Sequence, residues 1–226
     1  MGFLKNGESV IIAIDGPAGS GKSTTSKLVA KKLDIAHLDT GSMYRAITVY
    51  FIKNNLNLDE IDISSVMNSI KLEVLISNGE QSVLLNGDNV TSMLRSNKVS
   101  KLVSQVSSIR EVRQKMVNIQ REISQDKSIV IDGRDIGTVV FPDAEYKFFI
   151  TASIESRAKR RFDELKDSDS NLTLEKIKEE IKNRDHYDST RKNSPLKKAK
   201  DAIIIDTTHL NISGQVNKIL EMINNN

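Results

Sequence analysis

Hydrophobic positions along the chain follow two rhythms. Val10 to Ile14 (VIIAI) is a continuous apolar run that stops at glycines, the pattern of a strand buried on both faces. A helix is expected from Ser23 to about Leu33. The apolar stretch Ile35 to Leu38 then leads into a second helix, where Met43, Ala46, Ile47, Tyr50 and Phe51 recur at helical spacing and Arg45 lies off the stripe. Ile129 to Ile131, Tyr146 to Ile150 and Ala202 to Ile205 repeat the buried-strand pattern. Buried strands alternating with helices predict an α/β fold, a parallel sheet covered on both faces.

Four segments depart from that series or extend it. Lys71 to Ile76 and Ser82 to Leu85 are strand-like runs flanking Asn78-Gly79, a hairpin signal, so roughly Ile61 to Ser96 reads as an antiparallel insertion. From Val99 to Ile123 apolar residues recur every three or four positions, which predicts one long helix or two in tandem. Ser156 to Asn171 is strongly charged and carries Arg157, Lys159, Arg160 and Arg161 together. It reads either as a lid, about residues 156–171, that brings arginines over donor phosphates, or as a solvated basic helix end. A helix beginning near Leu174 has an apolar stripe, Leu174, Ile177 and Ile181, which continues at the same spacing into Arg184, Asp188 and Arg191. A core-facing stripe that turns into Arg, Asp, Arg is expected to leave the core and enter a cleft; the alternative is an exposed Arg–Asp–Arg ladder.

Composition narrows the class. The 226 residues suit one domain, here 9–226, and 38% hydrophobic with 28% charged residues reads as an ordinary globular protein. No apolar run approaches the length of a membrane span, so no membrane partner is expected. Met1 to Val10 lacks the layout of a signal peptide, and Asn6 breaks the myristoylation pattern after Gly2. The absence of cysteine excludes disulfides, thiolate metal sites and a Cys nucleophile, and fits the reducing cytoplasm. A net charge of +3 argues against a general nucleic-acid binder. His37, His186 and His209 lack metal-ligand spacing and read as structural or exposed.

The chemistry begins at Gly16, Pro17, Ala18, Gly19, Ser20, Gly21, Lys22 and Ser23, which fit G-x-x-x-x-G-K-[ST]. Such a loop, between a buried strand and a helix, presents backbone N–H groups to phosphate oxygens and adds the positive end of the helix dipole. Lys22 is the candidate catalytic cation for the β- and γ-phosphates, and the Ser23 hydroxyl is a candidate Mg²⁺ ligand. With the adjoining Thr24 this set is expected to bind ATP. Asp132, ending its strand, is a candidate for the metal shell through water; Asp15, ending the first strand, is a candidate either for that shell or for orienting the loop backbone. Arg45, Arg134, Arg184 and Arg191 supply the planar donors that phosphoryl transfer needs for alignment and charge stabilisation.

Six segments together resemble bacterial-type cytidylate kinases: IDGPAGSGKST, LDTGSMYRA at 38–46, SQVSSIREVR at 104–113, DGRDIGTVVFPDA at 132–144, RAKRR at 157–161 and RDHYDSTRKNSPL at 184–196. The resemblance runs from Val10 to about Ile223, and DGRDIGTVVFPDA is its most specific part. It implies a P-loop kinase fold with a five-stranded parallel sheet, a lid and a monophosphate-binding insertion. It implies transfer of the ATP γ-phosphoryl group to CMP or dCMP, with Mg²⁺. By the same resemblance Arg45, Arg134 and Arg191 hold the acceptor phosphate, and Ser104, Arg113 and Asp135 read the cytosine. Arg184 and Asp188 face the sugar, Thr40 and Tyr44 line the pocket, and Arg157, Arg160 and Arg161 form a catalytic lid cluster. The expected partners are small molecules, acting on a monomer. The readings left beside it are a P-loop kinase for another acceptor such as UMP, and a nucleotide-dependent switch or nucleic-acid-binding ATPase.

Overall fold

A computed structural model describes residues 9–77, 79–166 and 172–225. Residues 1–8, Asn78 of the expected turn, 167–171 of the expected lid and Asn226 lie outside the described residues.

Five strands form the expected parallel sheet: β1 (Ile11–Asp15), β2 (Ala36–Asp39), β6 (Ile129–Gly133), β7 (Tyr146–Thr151) and β8 (Ile203–Asp206), in the order β2-β6-β1-β7-β8. Alternate side chains of the central strands enter opposite cores, as the two-residue period of a strand requires. Ala13, Ile129 and Ile131 pack on one side with α2 (Thr40–Lys53), α4 (Asn97–Val106) and α5 (Arg110–Ser124). Ile12, Ile14 and Val130 pack on the other with α1 (Lys22–Leu33) and α8 (Ile212–Asn224).

The segment 61–96 is richer than a hairpin. It holds α3 (Ile63–Ser69) and a three-stranded antiparallel sheet of β3 (Leu72–Ser77), β4 (Glu80–Leu85) and the short β5 (Asp88–Asn89). Asn86 and Gly87 both have positive φ, which makes the second turn. The dipeptide Asn86-Gly87 is a second hairpin signal of the same kind as Asn78-Gly79. Met67, Leu72, Val83, Leu85, Val90 and Leu94 join the same core as α2, so the segment is packed onto the main body.

The apolar series over 99–123 proves to be two helices. Between them the Ser107 and Ser108 hydroxyls donate back to the carbonyls of Ser104 and Gln105, at 3.0 and 2.7 Å. Such local bonds compete with the helical ladder where the chain turns. The charged run after β7 begins in a regular helix, α6 (Ile154–Leu165). It pairs with α7 (Leu174–Thr190) over a small core of Ala158, Ile177 and Ile181, backed by Phe162, Leu172 and Leu174.

Candidate active site

In a parallel sheet the carboxyl ends of the strands share one edge, and ligands bind where the strand order reverses. Here the edge carries acids. In register, Asp39 of β2 lies beside Asp132 of β6, and Asp15 of β1 beside Gly133. The phosphate loop leaves β1 at this edge and leads into the start of α1. Its backbone is pinned from behind. The carbonyl of Pro17 accepts from Ser20 Oγ at 3.0 Å, and that of Ser20 from Arg160 at 3.2 Å and Thr207 Oγ1 at 3.0 Å. At Gly16 a Cβ would lie 2.1 Å from the Ile150 carbonyl oxygen, so only glycine lets the loop pack on β7.

Lys22 and Ser23 open α1 facing β6. Ser23 Oγ donates to Asp132 Oδ2 at 2.6 Å, while Asp132 Oδ1 meets His37 Nε2 at 2.8 Å. Burial works to raise the Asp132 carboxyl, but His37, Lys22 and Ser23 outweigh it and hold it below its ordinary value. Lys22 is also lowered, to about 7, by burial first and by Arg134 next, so here the shift favours the uncharged form. Asp15 is not in this group. It accepts from the backbone N–H of Ile136 and Gly137, both at 2.8 Å, and burial raises it to about 7 against those bonds. It orients a backbone, but of the turn after β6 and not of the phosphate loop.

That turn is a wide one, Ile136–Val140, with bonds spanning five residues, from Val140 N to Asp135 O and from Phe141 N to Ile136 O, at 3.2 and 2.7 Å. Wide turns of this kind gather at functional sites. This one turns Arg134 and Asp135 into a cleft. Asp135 forms a buried ion pair with Arg113 of α5, whose guanidinium sits over the Tyr44 ring, 5.4 Å from its centroid. Arg134 Nε donates to Asp188 Oδ2 at 3.1 Å. Burial pushes the Asp188 carboxyl up, but Arg134, Arg184 and Arg191 outweigh it and the net shift is downward. Arg191 is held by Ser194 O at 2.8 Å and Ser107 Oγ at 3.2 Å. Burial, then Arg134, lowers Arg184 to about 10.

The cleft has two connected lobes. A small inner lobe of about 70 Å³ is walled by Thr40, Tyr44, Arg113, Asp135, Asp188 and Arg191. A larger outer lobe of about 640 Å³ runs past the phosphate loop to Ser104, Arg161 and Tyr187. Lys22, Ser23, Asp39, Arg45, Arg134 and Arg184 border both. A cationic seam therefore joins a phosphate cradle to a polar pocket sized for a small flat group. Among the described residues no cluster of three or more His, Cys, Asp or Glu side chains could hold a metal by itself.

Comparison with known proteins decides what this cleft is. A sequence profile for cytidylate kinase matches residues 12–225. The chain belongs to the cytidylate kinase family. It is similar to the cytidylate kinase of Caldicellulosiruptor saccharolyticus, with 48% identity over 216 residues covering 95% of this chain and 96% of that protein. Likewise it is 46% identical to the Fusobacterium nucleatum cytidylate kinase, over 96% of this chain and 98% of that one. Among solved structures, a gluconokinase from Sinorhizobium meliloti shares the fold at a TM-score of 0.51 and 9% identity, over 97% of this chain and 93% of that one. The family implies ATP as co-substrate and small nucleotides as ligands.

The kinase brings nearly every site residue expected from the sequence to this one cleft. The helix stripe keeps its phase: Ile177, Ile181 and Asp188 are buried, as is Arg191 just beyond the helix, Arg184 is half-buried, and Glu179 and Lys182 are exposed. Three residues differ from expectation. Arg157 does not reach over the donor side; it is buried and donates to the carbonyls of Ala152 and Ala18, at 3.0 and 3.2 Å. Arg160 grips Ser20 O and, at 2.5 Å, Thr207 O. Both point behind the loop because α6 is a continuous helix, whose successive turns face different ways. Of the three arginines of α6, Arg161 alone lines the cleft, paired with Glu164 at 2.9 Å. Ser104 lines the outer lobe and not the wall that holds Arg113 and Asp135.

Two residues escaped the sequence reading, and His37 was read without its partner. Asp39 caps α2, accepting from Ser42 N at 3.3 Å, and borders both lobes. Its place just before the Thr40-Gly41 helix start was a usable capping signal. Ser107 holds Arg191, and its carbonyl accepts from Arg113 at 3.2 Å. His37 is structural, as expected, but its partner is the very carboxylate beside Ser23; a lone histidine carries no sequence signal for that.

Arg161 supplies a test of the cleft's outer wall. Arg161→Ala is expected to lower kcat about ten-fold, with the CMP KM within about two-fold, because a cation over the donor phosphates acts mainly on the transferring group. Steady-state kinetics with ATP and CMP check it. A loss confined to the CMP KM would move Arg161 to the acceptor side.

Proposed function

We propose that this chain transfers the γ-phosphoryl group of ATP to CMP and dCMP, releasing ADP and CDP or dCDP. The observation that carries the reading is the pairing at the inner lobe: a carboxylate and a guanidinium, Asp135 and Arg113, side by side at a pocket joined by arginines to a phosphate cradle. Cytosine presents an exocyclic amine donor next to ring acceptors, the complement of that pair.

In this reading ATP lies on the phosphate loop with Lys22 at its β- and γ-phosphates. The acceptor phosphate meets Arg45, Arg134 and Arg191, and the sugar meets Asp188 and Arg184. No general base is required, because a phosphate monoester with a second pKa near 6 is already mostly dianionic at neutral pH. The protein's work is alignment and charge stabilisation. Ser23 Oγ and Asp132, 2.6 Å apart beside Lys22, are hard oxygen ligands of the kind Mg²⁺ takes. The ion would neutralise charge on the nucleotide phosphates. Segment 61–96 acts as the acceptor-side insertion of one domain. Gln81 from it bonds the backbone of Asp39, accepting from its N–H at 2.8 Å. Both lobes are built from one chain, so a monomer suffices. No helix of the described residues is long and apolar enough to cross a membrane, and with a cysteine-free chain this fits a cytoplasmic enzyme.

Base recognition is tested at Asp135. Asp135→Asn replaces an acceptor with a group that can also donate, which suits the carbonyl of uracil better than the amine of cytosine. The expected result is about a ten-fold loss of kcat/KM for CMP and a smaller loss for UMP. Equal losses for both would detach Asp135 from the base.

A further inference from the structure

Arg157 and Asp185 form an ion pair that the proposed chemistry does not use. Arg157 lies in the second turn of α6 and is 4% exposed. Its guanidinium joins three separate segments: the end of β7 through Ala152 O, the phosphate loop through Ala18 O, and α7 through Asp185 Oδ2 at 2.7 Å. The planar fork fixes all three in one geometry. Contact with the loop is also steric. A Cβ on Gly19, whose φ is +73°, would lie 3.2 Å from Arg157 Cβ and 3.3 Å from its carbonyl oxygen. The loop therefore rests directly on the Arg157 backbone.

Asp185 sits between the two functions. Its neighbour Arg184 borders both lobes, and Asp188 is three residues further along α7. Yet Asp185 points to Arg157, away from the cleft. The bonding on this turn of helix is incomplete. Asp185 Oδ1 and Arg184 Nε are both buried without a hydrogen-bond partner, and Arg184 Nε stays 3.9 Å from Asp188 Oδ2. Buried polar atoms left open in this way are uncommon and mark a place that can re-pair.

We propose that Asp185 is a positioning residue: through Arg157 it holds the Ala18 carbonyl, and so links the helix bearing the acceptor residues to the loop that holds ATP. A ligand that closes the Arg184–Asp188 contact tightens this turn of α7 and, through the Asp185–Arg157 bridge, the phosphate loop. Binding at one lobe then strengthens binding at the other, and by linkage the effect is reciprocal. The reciprocal part rests on the acceptor placement proposed above; the effect on ATP binding does not.

The test uses the full chain with a non-hydrolysable β,γ-imido analogue of ATP, measured by equilibrium binding with and without CMP. Asp185→Asn removes the charge on Arg157's partner and keeps the size; Arg157→Lys keeps the charge and loses the fork. Each is expected to weaken analogue binding about five-fold or more, in the ordinary range of coupling effects, and to shrink the gain from CMP. CMP affinity measured without nucleotide donor should stay within about two-fold, and Asp185→Glu should recover part of the loss. Unchanged analogue affinity in either folded variant would overturn the proposal. So would equal losses for the analogue and CMP together with a lowered Tm, the signature of a merely structural pair. If CMP were the wrong acceptor, the CMP-dependent arm would be flat in the unaltered protein too, while the analogue arm would still report on the bridge.

Discussion

Lys22→Ala is expected to lower kcat by about two orders of magnitude or more, with a smaller change in ATP affinity. Lys22 is buried where charge accumulates as the phosphoryl group moves, and a preorganised cation there acts more on the transition state than on bound ATP. Its pKa of about 7 in the free protein adds a pH signature. Only the ammonium attracts phosphate. As pH rises through about 7 the free protein loses that proton, so kcat/KM for ATP falls. Bound phosphate favours the charged form, so kcat stays level to higher pH. The alkaline fall in kcat/KM should disappear in Lys22→Ala. Near-normal turnover of that variant would remove Lys22 from the mechanism.

Arg191→Ala is expected to lower kcat/KM for CMP by about thirty-fold or more. A lost charge-assisted hydrogen bond is worth about 1.5–3 kcal/mol, and each ~1.36 kcal/mol is a factor of ten. Arg191 stands at the upper end because, in the proposed binding mode, its removal leaves acceptor phosphate charge uncompensated, and it also strips Asp188 of one of three arginines. Asp188→Ala should cost about ten-fold, the loss of one sugar contact. Lys182→Ala, exposed on the opposite face of the same helix, should stay within about two-fold. Steady-state kinetics on the three variants, with folding checked by circular dichroism, decide the phase of the helix. A Lys182→Ala loss equal to that of Asp188→Ala would place the cleft elsewhere.

Much of this architecture was legible from the chain because period and burial agree. VIIAI and SIVID lie in central strands buried on both faces, so they read as continuous apolar runs; AIII reads the same way, but it forms the edge strand β8 and leaves Ile204 exposed. The stripe from Ile177 to Arg191 kept its phase through the change from aliphatic to charged, because a helix does not alter its period where its surroundings change. The phosphate loop was legible because a backbone cradle demands glycine at fixed positions. The choice of cytosine came from family resemblance; physical reading of residues such as Asp135 gave only the chemistry that suits it.

What stayed hidden depends on long-range contact. A local cluster of arginines does not reveal that Arg157 and Arg160 reach back to loop carbonyls more than a hundred residues away while Arg161 faces the cleft. Asp15 and Asp132 both end buried strands, yet one orients the 136–137 amides and the other meets Ser23 and His37. Strand register across the sheet decides between them, and sequence spacing carries no record of it. The break between α4 and α5 depends on two serine hydroxyls in a segment whose apolar rhythm runs on unbroken.

Release of ADP with ATP and Mg²⁺ against CMP, dCMP, UMP, AMP, GMP and dTMP in turn, each compared by kcat/KM, tests the central claim most directly. CMP and dCMP should be the best acceptors, with ADP release dependent on their presence. Faster turnover of AMP or GMP, or ATP hydrolysis that needs no acceptor and responds to RNA, would contradict it.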